Sequence, residues 1–276
     1  MGQLRIATCL NIPEPDEDEG PLLAALAEAG IDGRMASWDD PDEDWDASIP
    51  TVIRSTWNYI HDLPGFLGWV DRAARAAPLW NPPDIIRPNA HKSYLRHLAA
   101  RGHSVVPTRF YTHGRPAVLP AVDRDSVIKP TVSGGSFRTR RFGPGERAAA
   151  QAFLDELTAT RDAMVQPYVA SVDAYGERAL VWIDGEWTHA VRKTPRFSHE
   201  AEVVSEALPI ADDERALAEG VLAPLASRLL YGRVDVARDD AGRPMVMELE
   251  LIEPSLFVAR HPPAMSRLVA ALARRL

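Results

Sequence analysis

Cysteine is almost missing from this chain. Cys9 stands alone, so no intrachain disulfide and no cysteine-based zinc site can form within it. Long apolar runs are missing too. No stretch approaches the roughly 18 apolar residues that a membrane span needs, and Met1 to Leu10 lacks the charged start and long apolar core of a secretion signal. Cytoplasm is the simplest expected address. Basic excess is also absent: Lys and Arg total 31 against 39 Asp and Glu, a formal net charge of -8. A dedicated binder of nucleic acid or anionic membrane relies on many cationic contacts, so neither partner is expected. The eight histidines show no His-x-His or His-Glu-x-x-His spacing, and no zinc protease motif is read from them. His189 and His199 remain candidates for substrate contact or proton transfer.

What is present suits an ordinary globular protein of 276 residues, long enough for two domains or three small lobes around a cleft. The run Leu4 to Leu10 reads as a buried strand, followed by an acidic loop and a helix near residues 21–29 that ends at Gly30. Its turn carries Asn11-Ile12-Pro13-Glu14 rather than Gly-x-Gly-x-x-Gly, which argues against a dinucleotide-binding dehydrogenase. The acidic runs 16–19 and 39–46 are expected to be solvated loops without chemistry. A second strand is expected at 51–54, and a helix around 66–76 closes a parallel α/β lobe near residue 85. Arg54, Ser55, Thr56 and Asn58 follow that strand, where open α/β sheets place ligands, and are candidate contacts to a substrate carboxylate. The competing reading has Trp57 packing and these polar groups capping the next helix.

A helix is expected from Ala90 to Gly102 with Asn89 as N-cap, then extended chain over 105–110. The strand Val127-Ile128-Lys129-Pro130 runs into Ser133-Gly134-Gly135-Ser136, followed by a helix over 146–157 and a strand over 164–168. Two hairpins are expected in the last third, turning at Asp184-Gly185 and near Ala241-Gly242, with a helix over 213–230 between them.

The second hairpin carries the chemistry. Side chains two apart on a strand share a face, so Glu248 and Glu250 point together while Met247, Leu249 and Leu251 point to core. With Ala241 and Gly242 at the turn, Asp235 pairs with Glu248 and Arg233 with Glu250. Three carboxylates on one sheet face are costly unless a cation compensates them, and such oxygen donors suit magnesium.

These segments resemble the ATP-grasp superfamily, specifically its D-alanine-D-alanine ligase and bacterial glutathione synthetase branches. The match runs through Arg233-Val234-Asp235-Val236 and Glu248-Leu249-Glu250, with Glu250 where the family has asparagine; through Ile128-Lys129-Pro130, the glycine loop and Lys92; and through Gln166-Pro167-Tyr168-Val169 with Gly176-Glu177-Arg178. It covers roughly residues 85–260. Arg54 to Tyr59 and Trp80-Asn81-Pro82-Pro83 bring it nearest to small stand-alone bacterial members, among them the ligase that forms D-cycloserine from O-ureido-D-serine.

The resemblance implies a three-lobed α/β fold, with an N-terminal lobe over 1–85, a small lobe with the glycine-rich loop over 86–168, a C-terminal lobe over 169–276, and ATP between the last two. It implies ATP and Mg2+ as cofactors. Lys92, Lys129, Ser133, Gly134, Gly135 and Ser136 are expected at the phosphates, and Gln166, Pro167, Tyr168 and Val169 at adenine. Glu177 is expected on the ribose or in an ion pair with Arg192. Hairpin register aligns Arg178, His189 and Lys193 on the other face; Arg178 with Arg192 or Lys193 is then expected at the phosphates or an acyl phosphate, and His189 at the substrate. Asp235, Glu248 and Glu250 are the expected metal ligands, Glu253 a further ligand or a supporting residue, and Arg233 the oxyanion stabiliser. The implied reaction activates a small amino-acid-like carboxylate for attack by nitrogen. The expected partner is a small molecule, and the composition leaves a homodimer open.

Overall fold

The computed structural model describes residues 2–120, 123–195 and 203–276. The chain opens with β1 (Gln3–Thr8), whose last five side chains are all buried, and α1 (Glu19–Glu28), which turns Leu22 and Leu26 into the core. Next comes β2 (Asp32–Ser37), a strand not expected from residue type. Asp and Gly, and to a lesser degree Ala, are depleted in strands. Here they are tolerated because β2 is a sheet edge with exposed positions.

The strand β3 (Thr51–Ser55) is buried throughout. Then α2 (Leu63–Ala76) sets Phe66, Trp69, Val70 and Ala73 inward at helical spacing. With β4 (Leu79–Trp80) these strands form a parallel sheet in the order β2-β1-β3-β4.

The helix expected from Ala90 to Gly102 is shorter, α4 (Tyr94–Ala100), and a helix that was not expected, α3 (Pro83–Asn89), precedes it. The break is held by the amide of Lys92, which donates to Thr131 O at 2.9 Å instead of closing a helical turn. Asn89 is not an N-cap. Its side chain accepts from Leu251 N and donates to Leu249 O, both at 2.9 Å.

The second sheet is antiparallel, ordered β5-β8-β6-β7 from β5 (Arg109–Tyr111), β6 (Ser126–Pro130), β7 (Arg140–Phe142) and β8 (Ala163–Pro167), with α5 (Arg147–Thr158) packed on it. A single turn, α6 (Ser171–Ala174), leads into the third sheet.

That sheet combines β9 (Glu177–Ile183), β10 (Glu186–Lys193), β11 (Tyr231–Arg238) and β12 (Pro244–Glu250) in the order β10-β9-β11-β12, with α7 (Asp212–Leu222) over it and α8 (Pro262–Ala273) between it and the first sheet. An exposed edge strand would leave backbone groups unpaired. On β12 side chains satisfy them: Tyr94 Oη accepts from Leu249 N, Asn89 holds Leu249 O and Leu251 N, and Asn81 donates to Leu251 O. Asn81 and Asn89 thereby fix the hairpin that carries the acids.

Among the described residues no helix is long and apolar enough to cross a membrane.

Candidate active site

Between the three sheets lie two adjoining cavities, one of about 180 Å3 and one of about 1160 Å3. Lys92, the loop Ser133 to Ser136, Arg233 and Glu250 border both. The smaller cavity is walled by Lys129, Gln166 to Val169, Glu177, Lys193 and Glu248. The structure therefore gathers most of the residues expected at the nucleotide around one volume.

The acidic hairpin has the expected pairing, Arg233 with Glu250 and Asp235 with Glu248, reached by another route. The loop is one residue longer in its effect, because Arg238 pairs with Pro244, and a bulge at Met247 restores the register. Two departures cancel, and the acids share a face.

They do not converge on one point. Glu248 accepts from Lys92 Nζ and Lys129 Nζ, each at 2.7 Å. Asp235, fully buried, takes Arg233 on both oxygens at 2.8 and 2.9 Å and Lys193 Nζ at 2.5 Å. Glu250 accepts from Arg233 Nη2 at 2.6 Å. Among the described residues no three His, Cys, Asp or Glu side chains gather so as to hold a metal ion. The expected trio is corrected: crowded carboxylates need compensation, and here lysine and arginine supply it. Glu248 and Glu250 border the small cavity and fit a magnesium ion, which needs one or two carboxylates beside waters and phosphates. Asp235 does not fit, because it is fully buried and borders neither cavity.

Electrostatics follow from burial set against pairing. Burial would raise the Glu248 carboxyl, but Lys129 and Lys92 override it and hold it well below the carboxylate range. Asp235 is likewise held at about 2 against burial by Arg233 and Lys193. Glu177 shares Lys193 at 2.6 Å, yet burial together with Asp235 leaves its carboxyl raised to about 7.

The first hairpin corrects the expected register. A bulge between Trp187 and His189 shifts the ladder so that Glu177 faces Lys193, and Arg192 faces Arg178. Lys193 thus enters the cleft. Arg192 is exposed, against Gly176 at φ +84°. Arg178 turns away from the nucleotide side, donating to Pro209 O at 2.6 Å beside the buried Glu214. His189 is buried against His261, with ring centroids 4.8 Å apart, and borders neither cavity; His199 lies outside the described residues.

In the first lobe Asn58 borders the large cavity, whereas Arg54, Ser55 and Thr56 lie beneath it, nearly wholly buried. Arg54 donates to Pro254 O at 2.9 Å and pairs with Asp18 at 3.4 Å; Ser55 donates to Thr8 Oγ1 at 2.9 Å. Asp18 is another correction, since this member of an acidic run expected in solvent is buried and accepts from Ala259 N at 2.9 Å. No local spacing signals this, because Asp18 meets Arg54 only in three dimensions.

Three interleaved sheets with lysines, a glycine loop and an acidic hairpin around one cleft define an ATP-grasp ligase. A family model described as the N-terminal domain of D-cycloserine synthetase DcsG matches residues 4–81. The cycloserine biosynthesis protein DcsG of Streptomyces lavendulae is 32% identical over 298 aligned positions, spanning 100% of this chain and 99% of the relative. The chain belongs to the D-cycloserine synthetase family of ATP-grasp ligases. The crystal structure of D-cycloserine synthetase DcsG superposes with a TM-score of 0.88 at 30% identity, covering 99% of both chains. The D-alanine-D-alanine ligase of Bacillus anthracis complexed with ATP has the same fold, with a TM-score of 0.69 at 14% identity over 99% of this chain and 97% of that one. The chain is an ATP-dependent, bond-forming enzyme of α/β architecture.

Proposed function

We propose that this enzyme activates the carboxylate of O-ureido-D-serine with ATP, and that the oxygen-bound nitrogen of the same molecule attacks the acyl phosphate and expels phosphate. Hydrolysis of the carbamoyl group from that nitrogen as carbamate then leaves D-cycloserine. The observation that carries the reading is the double contact of Lys92 and Lys129 with Glu248 at the mouth of the small cavity. It puts two ammonium groups where a phosphate tail would enter, and the full-length likeness to a cycloserine biosynthesis protein supports the substrate.

A free carboxylate is a poor electrophile, and phosphorylation makes it a good one. Lys92, Lys129 and the amides of the Ser133–Ser136 loop would bind and orient the phosphates. The segment Gln166 to Val169 would present backbone groups to adenine, and Glu177 would face the ribose. Glu248 and Glu250 would hold magnesium, whose charge, once bound, offsets that of the phosphates. Arg233, fixed between Asp235 and Glu250, would stabilise the oxyanion as nitrogen attacks. Substrate would occupy the large cavity beside Asn58. No protein nucleophile is required. We place the working boundaries of the three lobes near residues 85 and 168, and the reaction in the cytoplasm with no nucleic-acid or membrane partner.

The test is release of ADP and inorganic phosphate with O-ureido-D-serine, with mass spectrometry of the product. A cyclic product that has lost both the carboxylate oxygen and the carbamoyl group is expected, with carbon dioxide and ammonia released from the carbamate. A phosphorylated product, or ADP release that no small carboxylate stimulates, overturns the reading.

A further inference from the structure

Beyond β12 the chain presents three successive carbonyls, and each accepts a bond from a different side chain. Trp57 Nε1 donates to Glu253 O at 3.0 Å, Arg54 Nη1 to Pro254 O at 2.9 Å and Arg233 Nη1 to Ser255 O at 3.1 Å. The first two donors come from the N-terminal lobe and the third from the acidic hairpin. Residues 253–255 are therefore clamped from both sides, and Arg54 is itself oriented by the buried Asp18.

This clamped segment brings Glu253 to the wall of the large cavity. Glu253 differs from the acids gathered on the third sheet. Glu177, Asp235, Glu248 and Glu250 each accept from a lysine or arginine. Among the described residues no other residue's side chain pairs with the Glu253 carboxylate. The cations that share the cavity wall are engaged elsewhere: Lys92 with Glu248, Arg233 with Asp235 and Glu250, Arg138 with Glu156. A half-buried carboxylate that no cation contacts directly is costly, and the more distant Lys92 and Arg233 offset only part of that cost. Burial, with the charge of Glu250 added, pushes its carboxyl up to about 8. A cation supplied from within the cavity removes both costs.

We infer that Glu253 is a specificity-determining residue that recognises a positively charged amino group on the substrate, and that Arg54 and Trp57 are positioning residues acting through its backbone. The inference rests on the ligase reading of the same cleft and deepens it. The activated carboxylate lies on the Arg233 side of the cavity and the ammonium is held on the Glu253 side, so a molecule carrying both is gripped at two points. Orientation of this kind brings the reacting nitrogen toward the carboxyl carbon.

The experiment measures ADP release with two pairs of probes, O-ureido-D-serine and its N-acetyl derivative, and D-alanine and N-acetyl-D-alanine. The wild-type enzyme is expected to prefer the free amine at least 100-fold in kcat/KM for whichever pair it accepts. Glu253→Gln is expected to lose at least tenfold of that preference, through a raised KM, with ATP affinity unchanged. Glu253→Asp restores part of it. Should Glu253→Gln keep the preference, or slow amine and amide equally, the inference falls. If the alanine pair shows the preference while O-ureido-D-serine gives no ADP, the proposed substrate falls and the role of Glu253 stands.

Discussion

Lys193 Nζ lies 2.5 Å from Asp235 Oδ2, a contact that exists because a bulge in β10 turns Lys193 rather than Arg192 into the cleft. The two neighbours consequently part in function. Lys193→Met removes a cation shared by Asp235 and Glu177. A loss of about 100- to 1000-fold in kcat is expected, as for removal of one electrostatic stabiliser of a transition state. Arg192→Met, on the exposed side, is expected to stay within about twofold of wild type. Steady-state ADP release on the two variants decides it, and equal losses would contradict the register.

Glu248 holds two lysines, so its loss and theirs should differ in kind. Glu248→Gln is expected to reduce turnover by more than about 1000-fold while the fold survives, since oxygen donors for magnesium and the orientation of both lysines go together. Lys129→Ala is expected to weaken ATP binding about tenfold or more, a phosphate contact being lost. Calorimetric ATP titration with circular dichroism separates the two effects. Unchanged ATP affinity in Lys129→Ala would count against the phosphate assignment.

Phe137 ties the glycine-rich loop to the first lobe. Its ring meets His61 edge-on at 5.0 Å between centroids and lies beneath the Arg161 guanidinium at 5.3 Å. Ser136 and Arg138 on either side have positive φ, 59° and 48°. Such conformations are unfavourable for side-chain-bearing residues and persist where contacts hold them. An aromatic contact contributes about 0.5–1.5 kcal/mol, so Phe137→Ala is expected to raise KM for ATP roughly two- to tenfold. An unaltered KM would show that the latch does not matter for loop closure.

His189 makes the fold acid-sensitive. Burial, with His261 stacked beside it, lowers its pKa to about 4 from 6.5. The unfolded chain therefore binds the proton first as pH falls. Stability is complete above about pH 6.5 and is lost progressively toward pH 4, by a total on the order of 3 kcal/mol. His189→Gln is expected to flatten this limb. Urea midpoints at pH 7 and pH 4.5 check it, and an equally steep decline in the variant would place the sensitivity elsewhere.

Much of the site was legible because strand spacing is local. The two-residue period places Glu248 and Glu250 on one face whatever the surroundings, and Lys129 and the glycine loop are contiguous in sequence. Bulges are not legible. In β12 the bulge compensated for the turn and left the pairing intact; in β10 it moved every residue after Trp187, which exchanged Arg192 for Lys193. Asn89 read as a helix cap because the cap pattern is local, whereas its actual bonds reach 160 residues away to β12.

The sequence by itself determined that one hairpin bears a carboxylate face, that lysines and a glycine loop precede it, and that no disulfide or membrane helix frames the site, since each depends on residue type and near-neighbour spacing. Tertiary structure alone decided which cation neutralises which acid, that Asp235 is sealed beneath Arg233 and Lys193, and that Arg54 and Trp57 clamp the segment bearing Glu253. Those outcomes come from contacts between chain segments up to 200 residues apart, where packing and desolvation select one partner among several of like charge.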